Sequence, residues 1–203
     1  MKSMIRRAMA VGLCVAALSA SAQSCVTYAA ESRASMGTVM LRLSDLGPGY
    51  VDLMPGGRYN TNSAILVPGP LPARARQVRL HGFLQSYVNF FRTTRWVMIN
   101  SVRVPSIQVD EEGDVFRSVA GAQWAFAEAR TTVGRAHPLT IVRVGDQSFG
   151  YVTGQMGSGR KGVGIIFRRG SYLLSITVWR TPLAAQQLAR YARIVDMRLR
   201  QAG

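Results

Sequence analysis

Short runs of alternating apolar and polar residues, separated by glycine-rich or polar breaks, fill the last third of the chain. Residues 139–144, 148–153, 163–169 and 172–180 each read as a strand, and the two-residue connection Gly170-Ser171 joins the last pair as a hairpin. Beyond Pro182 the period changes. Leu188, Tyr191, Val195 and Leu199 follow at helical steps, with Arg190, Arg193 and Arg200 largely opposite. A similar spacing in Val78, Leu80, Phe83, Leu84, Tyr87, Val88 and Phe91 predicts an amphipathic helix over residues 73–92. Gly82 is its weak point, at a cost of about 1 kcal/mol relative to alanine. Ser118 is placed to cap a further helix over residues 119–133.

Residues 39–43 and 96–104 read as strands, the second interrupted by Pro105 and resumed after a bend at Ile107 and Val109. Gly47-Pro48-Gly49 and the acidic run Asp110-Glu111-Glu112-Gly113-Asp114 read as turns. Residues 55–72, rich in proline and glycine, read as a long irregular loop, a functional lid or a poorly ordered stretch. The pattern predicts an α+β fold: an antiparallel sheet of about four to six strands with two or three helices packed on one face.

The N-terminus follows a different rule. Lys2, Arg6 and Arg7 precede an apolar stretch over residues 8–20, and Ala20-Ser21-Ala22 supplies small residues for cleavage, the three parts of an export signal. The stretch is shorter than the roughly 20 residues that cross a bilayer. The chain has two cysteines, and Cys14 lies within the signal, so Cys25 is left without an intrachain partner. Ser21-Ala22-Gln23-Ser24-Cys25 resembles a bacterial lipobox, in which the cysteine is acylated; Ala22 and Gln23 depart from the usual pattern, and cleavage after Ala22 is the alternative. The expected organisation is a signal peptide over 1–24, a flexible tether over 25–38 and one domain over 39–203. The expected location is outside the cytoplasm, membrane-anchored through Cys25 or secreted.

Charge narrows the partners. Lys and Arg total 25 against 10 acids, and only Lys2 and Lys161 are lysines. Such a surface attracts anionic lipid or anionic cell-wall polymer. Nucleic acid is not expected for an exported chain. Within it, Arg160 and Lys161 beside a glycine-rich turn, with Arg168 and Arg169, are the candidate anion-binding group.

The remaining chemistry is sparse. Gly157-Ser158-Gly159-Arg160-Lys161-Gly162 matches the glycine spacing of dinucleotide loops, but a strand follows where a helix is required, and no acid lies at the ribose-binding distance, so no cofactor is expected. Asp110, Glu112 and Asp114 alternate as in calcium loops, yet Val115 and Gly121 occupy the positions of the turn glycine and the bidentate glutamate, so no metal is expected. His81 and His137 are the only histidines, and no nucleophile elbow is present. No catalytic residue is assigned and the chain is not expected to be an enzyme; a hydrolase of the envelope using His81 or His137, or a structural envelope protein, are the alternatives. Trp96, Trp124 and Trp179 fall at apolar positions of predicted elements and read as core.

Several short motifs occur together in one order: Leu43-Ser44-Asp45-Leu46-Gly47-Pro48-Gly49-Tyr50, the alanine-rich helix, Val144-Gly145-Asp146, Phe167-Arg168-Arg169-Gly170-Ser171-Tyr172 and the last helix. This order resembles a diffuse group of secreted bacterial proteins and lipoproteins, and the extracellular sensor domains of some bacterial Ser/Thr kinases. Those sensor domains commonly carry disulfides, which this chain cannot form internally. The resemblance implies a fold and a location and no reaction. The expected function is an extracytoplasmic ligand-binding or interaction module.

Overall fold

The computed structural model describes residues 36–66, 72–99, 101–133, 137–155, 160–179 and 184–202. The segment read as a signal, Cys25, the glycines at 157 and 159, and Pro182 lie outside them. Residues Met36–Gly203 form one compact unit.

The elements follow as helix α1 (Leu43–Leu46), strands β1 (Tyr50–Asp52) and β2 (Arg58–Asn60), helix α2 (Pro72–Leu80), strands β3 (Phe83–Thr93), β4 (Trp96–Ile99), β5 (Val102–Pro105) and β6 (Gln108–Phe116), helix α3 (Val119–Val133), strands β7 (His137–Leu139), β8 (Gln147–Gln155), β9 (Arg160–Arg169) and β10 (Tyr172–Trp179), and helix α4 (Ala184–Ala202). Residues 36–39 are also helical. Eight strands make one antiparallel sheet in the order β1-β3-β6-β10-β9-β8-β7, with β2 also paired to β3, while β4 and β5 form a separate two-stranded sheet. None of the helices among the described residues is long and apolar enough to cross a membrane.

The α+β class holds, but the sheet is larger than expected and helices cover both of its faces. β9 and β10 explain this. Their apolar residues are continuous rather than alternating, so each face needs a cover. Ile165, Phe167, Leu174 and Ile176 pack with Leu188, Tyr191, Val195 and Leu199 of α4, the stripe read from the sequence, and with Met36 and Met40. Ile166 and Leu173, on the other face, pack with Ala122, Ala125, Phe126 and Ala129 of α3 and with Val78 of α2. Met36, within the stretch read as a tether, is buried, as is Val39, the first residue of the expected domain.

Four other elements differ from expectation. The helix read over 73–92 is a helix only to Leu80. Gly82, at φ +82°, turns the chain, and the aromatic and β-branched residues that follow form the long strand β3. Residues 96–104 are a hairpin rather than one strand, turning at Ser101 with φ 64°. Of the strand expected over 139–144 only Leu139 pairs in the sheet, at the end of β7, and the strand expected over 39–43 is replaced by two short helical turns over 36–39 and 43–46.

The largest correction concerns residues 110–114. They are the centre of β6, hydrogen-bonded to β3 on one side and β10 on the other. Alternation sends Glu111 to the α4 face and Asp110, Glu112 and Asp114 to the opposite one. Glu111 and Asp114 are fully buried.

Candidate functional site

The site begins at β2. Arg58 and Asn60 stand opposite Val88 and Ser86 of β3, on the sheet face that carries Glu112 and Asp114. The chain then crosses that face as a strap over residues 61–66. Ser63 anchors it: its hydroxyl donates to Oδ2 of buried Asp114. Leu66 N–H donates back to Ser63 Oγ at 2.9 Å, and Ala64 N–H donates to Ser86 Oγ at 3.3 Å. Leu66 is buried with Ala75, Val78 and Phe83, which fixes the far end of the strap in the apolar core. Asn62 is held by a bond from Arg79 Nη1 to its Oδ1 at 3.3 Å.

A cleft of about 420 Å³ lies beside this strap, lined by Met54, Arg58, Asn60, Thr61, Asn62, Ser63, Ala64, Val88, Phe90 and Glu112. Val88 and Phe90 are neighbours on β3 facing the same way, and Glu112 is the cross-strand partner of Val88. The lining therefore places an apolar strip beside one carboxyl, with amide and hydroxyl groups and one guanidinium around them.

Electrostatics single out Glu112. Burial pushes its carboxyl up to about 7, and the neighbouring charges of Asp114 and Asp110 add to the effect. Asp114 rises to about 6 through burial, opposed by the hydroxyls of Ser63 and Ser86. Asp110 is held from two sides, by Gln108 Nε2 and by Trp179 Nε1, each at 2.7 Å. Beside these acids the same face continues through Thr177, opposite Asp110, and Ser175, opposite Glu112. The Tyr151 hydroxyl lies 3.1 Å from Thr177 Oγ1. Among the described residues no group of three or more His, Cys, Asp or Glu side chains is arranged to hold a metal ion.

Glu111, on the other face, has a different role. Both of its oxygens accept from Leu41 N–H, at 3.0 and 2.9 Å, within the packed core beneath α4. Burial pushes its carboxyl up to about 8 despite that bond. It pins the entry segment to the sheet.

The anion-binding group read from the sequence is not brought together. Arg168 is buried at the far end of β9, where its Nη1 lies 3.0 Å from Asp146 Oδ2 and bonds Gly170 O at 2.8 Å, and its Nε bonds Gln147 at 3.0 Å. Arg169 is clamped by both oxygens of Asp196 and reaches Asp146 at 3.3 Å. Their charge is spent inside the fold. Lys161 is exposed near the start of β9 and Arg160 opens that strand, roughly 23 Å away for seven residues at about 3.3 Å each.

The histidines divide similarly. His81 stacks face to face on Trp124, with ring centroids 3.7 Å apart. His137 opens β7. Of the tryptophans read as core, Trp96 stands at the surface, 36% exposed.

Sequence reasoning gave Ser63, Arg58 and Asn60 no role, and weighed Glu112 only as an oxygen of a calcium-like loop. For Glu112 the local signal was the period-two pattern of residues 108–116, with Val109, Glu111, Gly113 and Val115 on one parity and Asp110, Glu112 and Asp114 on the other.

The motifs behind the family resemblance serve as structural ties. Asp45 accepts from Arg42 N–H at 2.7 Å and pairs with Arg198 of α4 through two bonds of 2.8 Å. Asp146 accepts from Gly170 N–H at 2.9 Å.

Comparison with known proteins adds little chemistry. No protein-family profile matches the chain, and no curated sequence does. Among solved structures, the chain is similar to the extracellular domain of PknH from Mycobacterium tuberculosis, at 12% identity and a TM-score of 0.49, over 82% of this chain and 95% of that one.

Proposed function

We infer that the chain is an exported ligand-binding module whose cleft takes a small polyhydroxylated ligand, a sugar unit of the cell envelope. One observation carries this reading: a carboxyl poised near neutrality, Glu112, sits beside the apolar strip of Val88 and Phe90 in a cleft rimmed by Asn60, Thr61, Asn62 and Arg58. Sugar rings present C–H faces and hydroxyls together, and a site of this mixed lining matches both. Export rests on the signal at residues 1–24, and Cys25 is the anchoring residue of the lipidated form. Mass spectrometry of the mature N-terminus distinguishes an acylated Cys25 from a free Gln23.

The test of the cleft is titration of the protein with N-acetylglucosamine oligomers, followed by calorimetry. Saturable binding that weakens in Glu112→Gln and Asn60→Ala supports the reading. Absence of saturable binding, or binding unaffected by both changes, overturns it.

A second reading is hydrolysis of the same ligand. The raised Glu112 carboxyl, flanked on its strand by Asp110 and Asp114, favours it, because a general acid works best near the operating pH. Under that reading Glu112→Gln abolishes turnover while substrate binding persists.

A further inference from the structure

We propose that the β4–β5 hairpin is a membrane-docking element that seats the domain on an anionic lipid surface, independently of any acyl anchor. The hairpin stands apart from the main sheet as its own two-stranded ribbon. Its base is clasped: Thr93 N–H bonds Ile107 O at 3.0 Å, Ser106 N–H bonds Arg95 O at 2.7 Å, and the hydroxyls of Thr93 and Ser106 lie 2.7 Å apart. The ribbon is thus held firmly where it leaves the sheet.

What it presents is amphipathic. Trp96, Met98 and Arg103 share one face, because Met98 stands opposite Arg103 in the register and Trp96 is two residues back. Met98 is 64% exposed and Trp96 36%. Two guanidinium groups lie over the Trp96 ring, Arg92 at 4.9 Å and Arg103 at 5.2 Å from its centroid. Thr94, Trp96, Val97, Met98 and Arg103 line a shallow groove of about 360 Å³ along this face.

An exposed indole gripped by arginines, next to an exposed methionine, suits the boundary between headgroups and acyl chains. There the indole and thioether reach the acyl region while the guanidinium groups meet lipid phosphates. The charge of the surrounding chain points the same way. Residues 92–109, the hairpin and its base, contain Arg92, Arg95 and Arg103 and no acid. A polyanion in solution would use the arginines but gain nothing from Met98. A bilayer uses both, and this decides between the two.

The experiment is co-sedimentation of the mature chain, from Gln23 onward and carrying Cys25→Ser, with phosphatidylcholine vesicles, with or without about one-third phosphatidylglycerol, at low and high salt. Binding to the phosphatidylglycerol vesicles is expected, weaker at high salt. Trp96→Ala and Met98→Arg, compared within the same chain, each reduce partitioning by about tenfold. Met98→Arg is the decisive variant. It raises the positive charge, so purely electrostatic attraction would strengthen, whereas docking through an inserted side chain weakens. Both side chains are solvent-exposed, and a circular dichroism melt confirms that each variant is folded. Equal or stronger vesicle binding by Met98→Arg overturns the proposal. So does equal binding of both variants and the parent to soluble polyphosphate and to vesicles, which would assign the surface to an anionic polymer.

Discussion

The hydroxyl of Ser63 donates to the buried carboxyl of Asp114, 51 residues away in sequence, and so ties the strap to the middle of the sheet. Ser63→Ala removes that donor and leaves Asp114 buried with less to satisfy it. A loss of about 1–3 kcal/mol in stability is expected from chemical denaturation. The carboxyl of Asp114 should titrate above its present value of about 6, measurable by NMR. A carboxyl pKa that stays fixed in the variant would mean that the hydroxyl contributes nothing to its environment.

Acidic residues held in their neutral form make stability depend on pH in an unusual direction. Glu111 titrates near 4.5 when unfolded and near 8 in the fold. Between those values the folded state holds a proton that the unfolded state has lost, so stability falls as pH rises. Each pH unit within the window removes up to about 1.4 kcal/mol per such group. Glu112 and Asp114 act in the same sense over narrower windows, ending near 7 and 6. The denaturation midpoint is expected to be higher at pH 5 than at pH 8, and Glu111→Gln should flatten the upper part of the profile. A parent profile that rises over this range would contradict the burial of Glu111.

The C-terminal helix answers to the opposite rule. Burial works to raise Asp196, but Arg169, the Gly145 N–H and Arg200 outweigh it and hold the carboxyl below its usual range. That stabilisation is present above the unfolded value near 4 and is lost as pH falls below it. Asp196→Asn leaves Arg169 with the more distant Asp146 as its charged partner and is expected to cost about 2 kcal/mol, less than for a fully buried pair because Arg169 is partly solvated. Thermal melts of the variant at neutral pH and at pH 3 check this: the difference from the parent should shrink in acid.

Gly121 separates two effects that usually go together. It lies in the first turn of α3, where alanine would gain about 1 kcal/mol in helix propensity. A Cβ there would come within 2.1 Å of the His81 carbonyl oxygen, a backbone atom that cannot swing aside. Gly121→Ala is therefore expected to destabilise by about 1–3 kcal/mol net, and to disturb the His81–Trp124 stack. A variant that melts above the parent would show that the turn at residue 81 is free to move.

The legibility of these features in the sequence depended on whether local pattern and global environment agreed. Strands β8, β9 and β10 and helices α3 and α4 were readable because period, turn residues and burial coincide there; Ser118 does accept from Gly121 N–H at 3.1 Å, as its position implies. β3 was misread because its aromatic residues also satisfy a helical spacing, and only Gly82 marked the change. The acidic run failed for a deeper reason. Aspartate and glutamate are rare in central strands, so propensity points to a turn, while burial there depends on Ser63 and Leu41, which only the tertiary fold brings near. The cleft inherits that failure, since its lining comes from β2, β3, β6 and the strap. Arg168 and Arg169 were legible as charges but not as spent charges, because Asp146 and Asp196 reach them only after the sheet is assembled.

The brevity of the strands at the two rims of the sheet has a further consequence. β1, β2 and β7 are each three residues long, and β7 contains Pro138, which has no N–H to offer. A short rim with a missing donor is a poor template for another chain's backbone. Each rim strand therefore offers little continuous backbone for another copy of the chain to pair with.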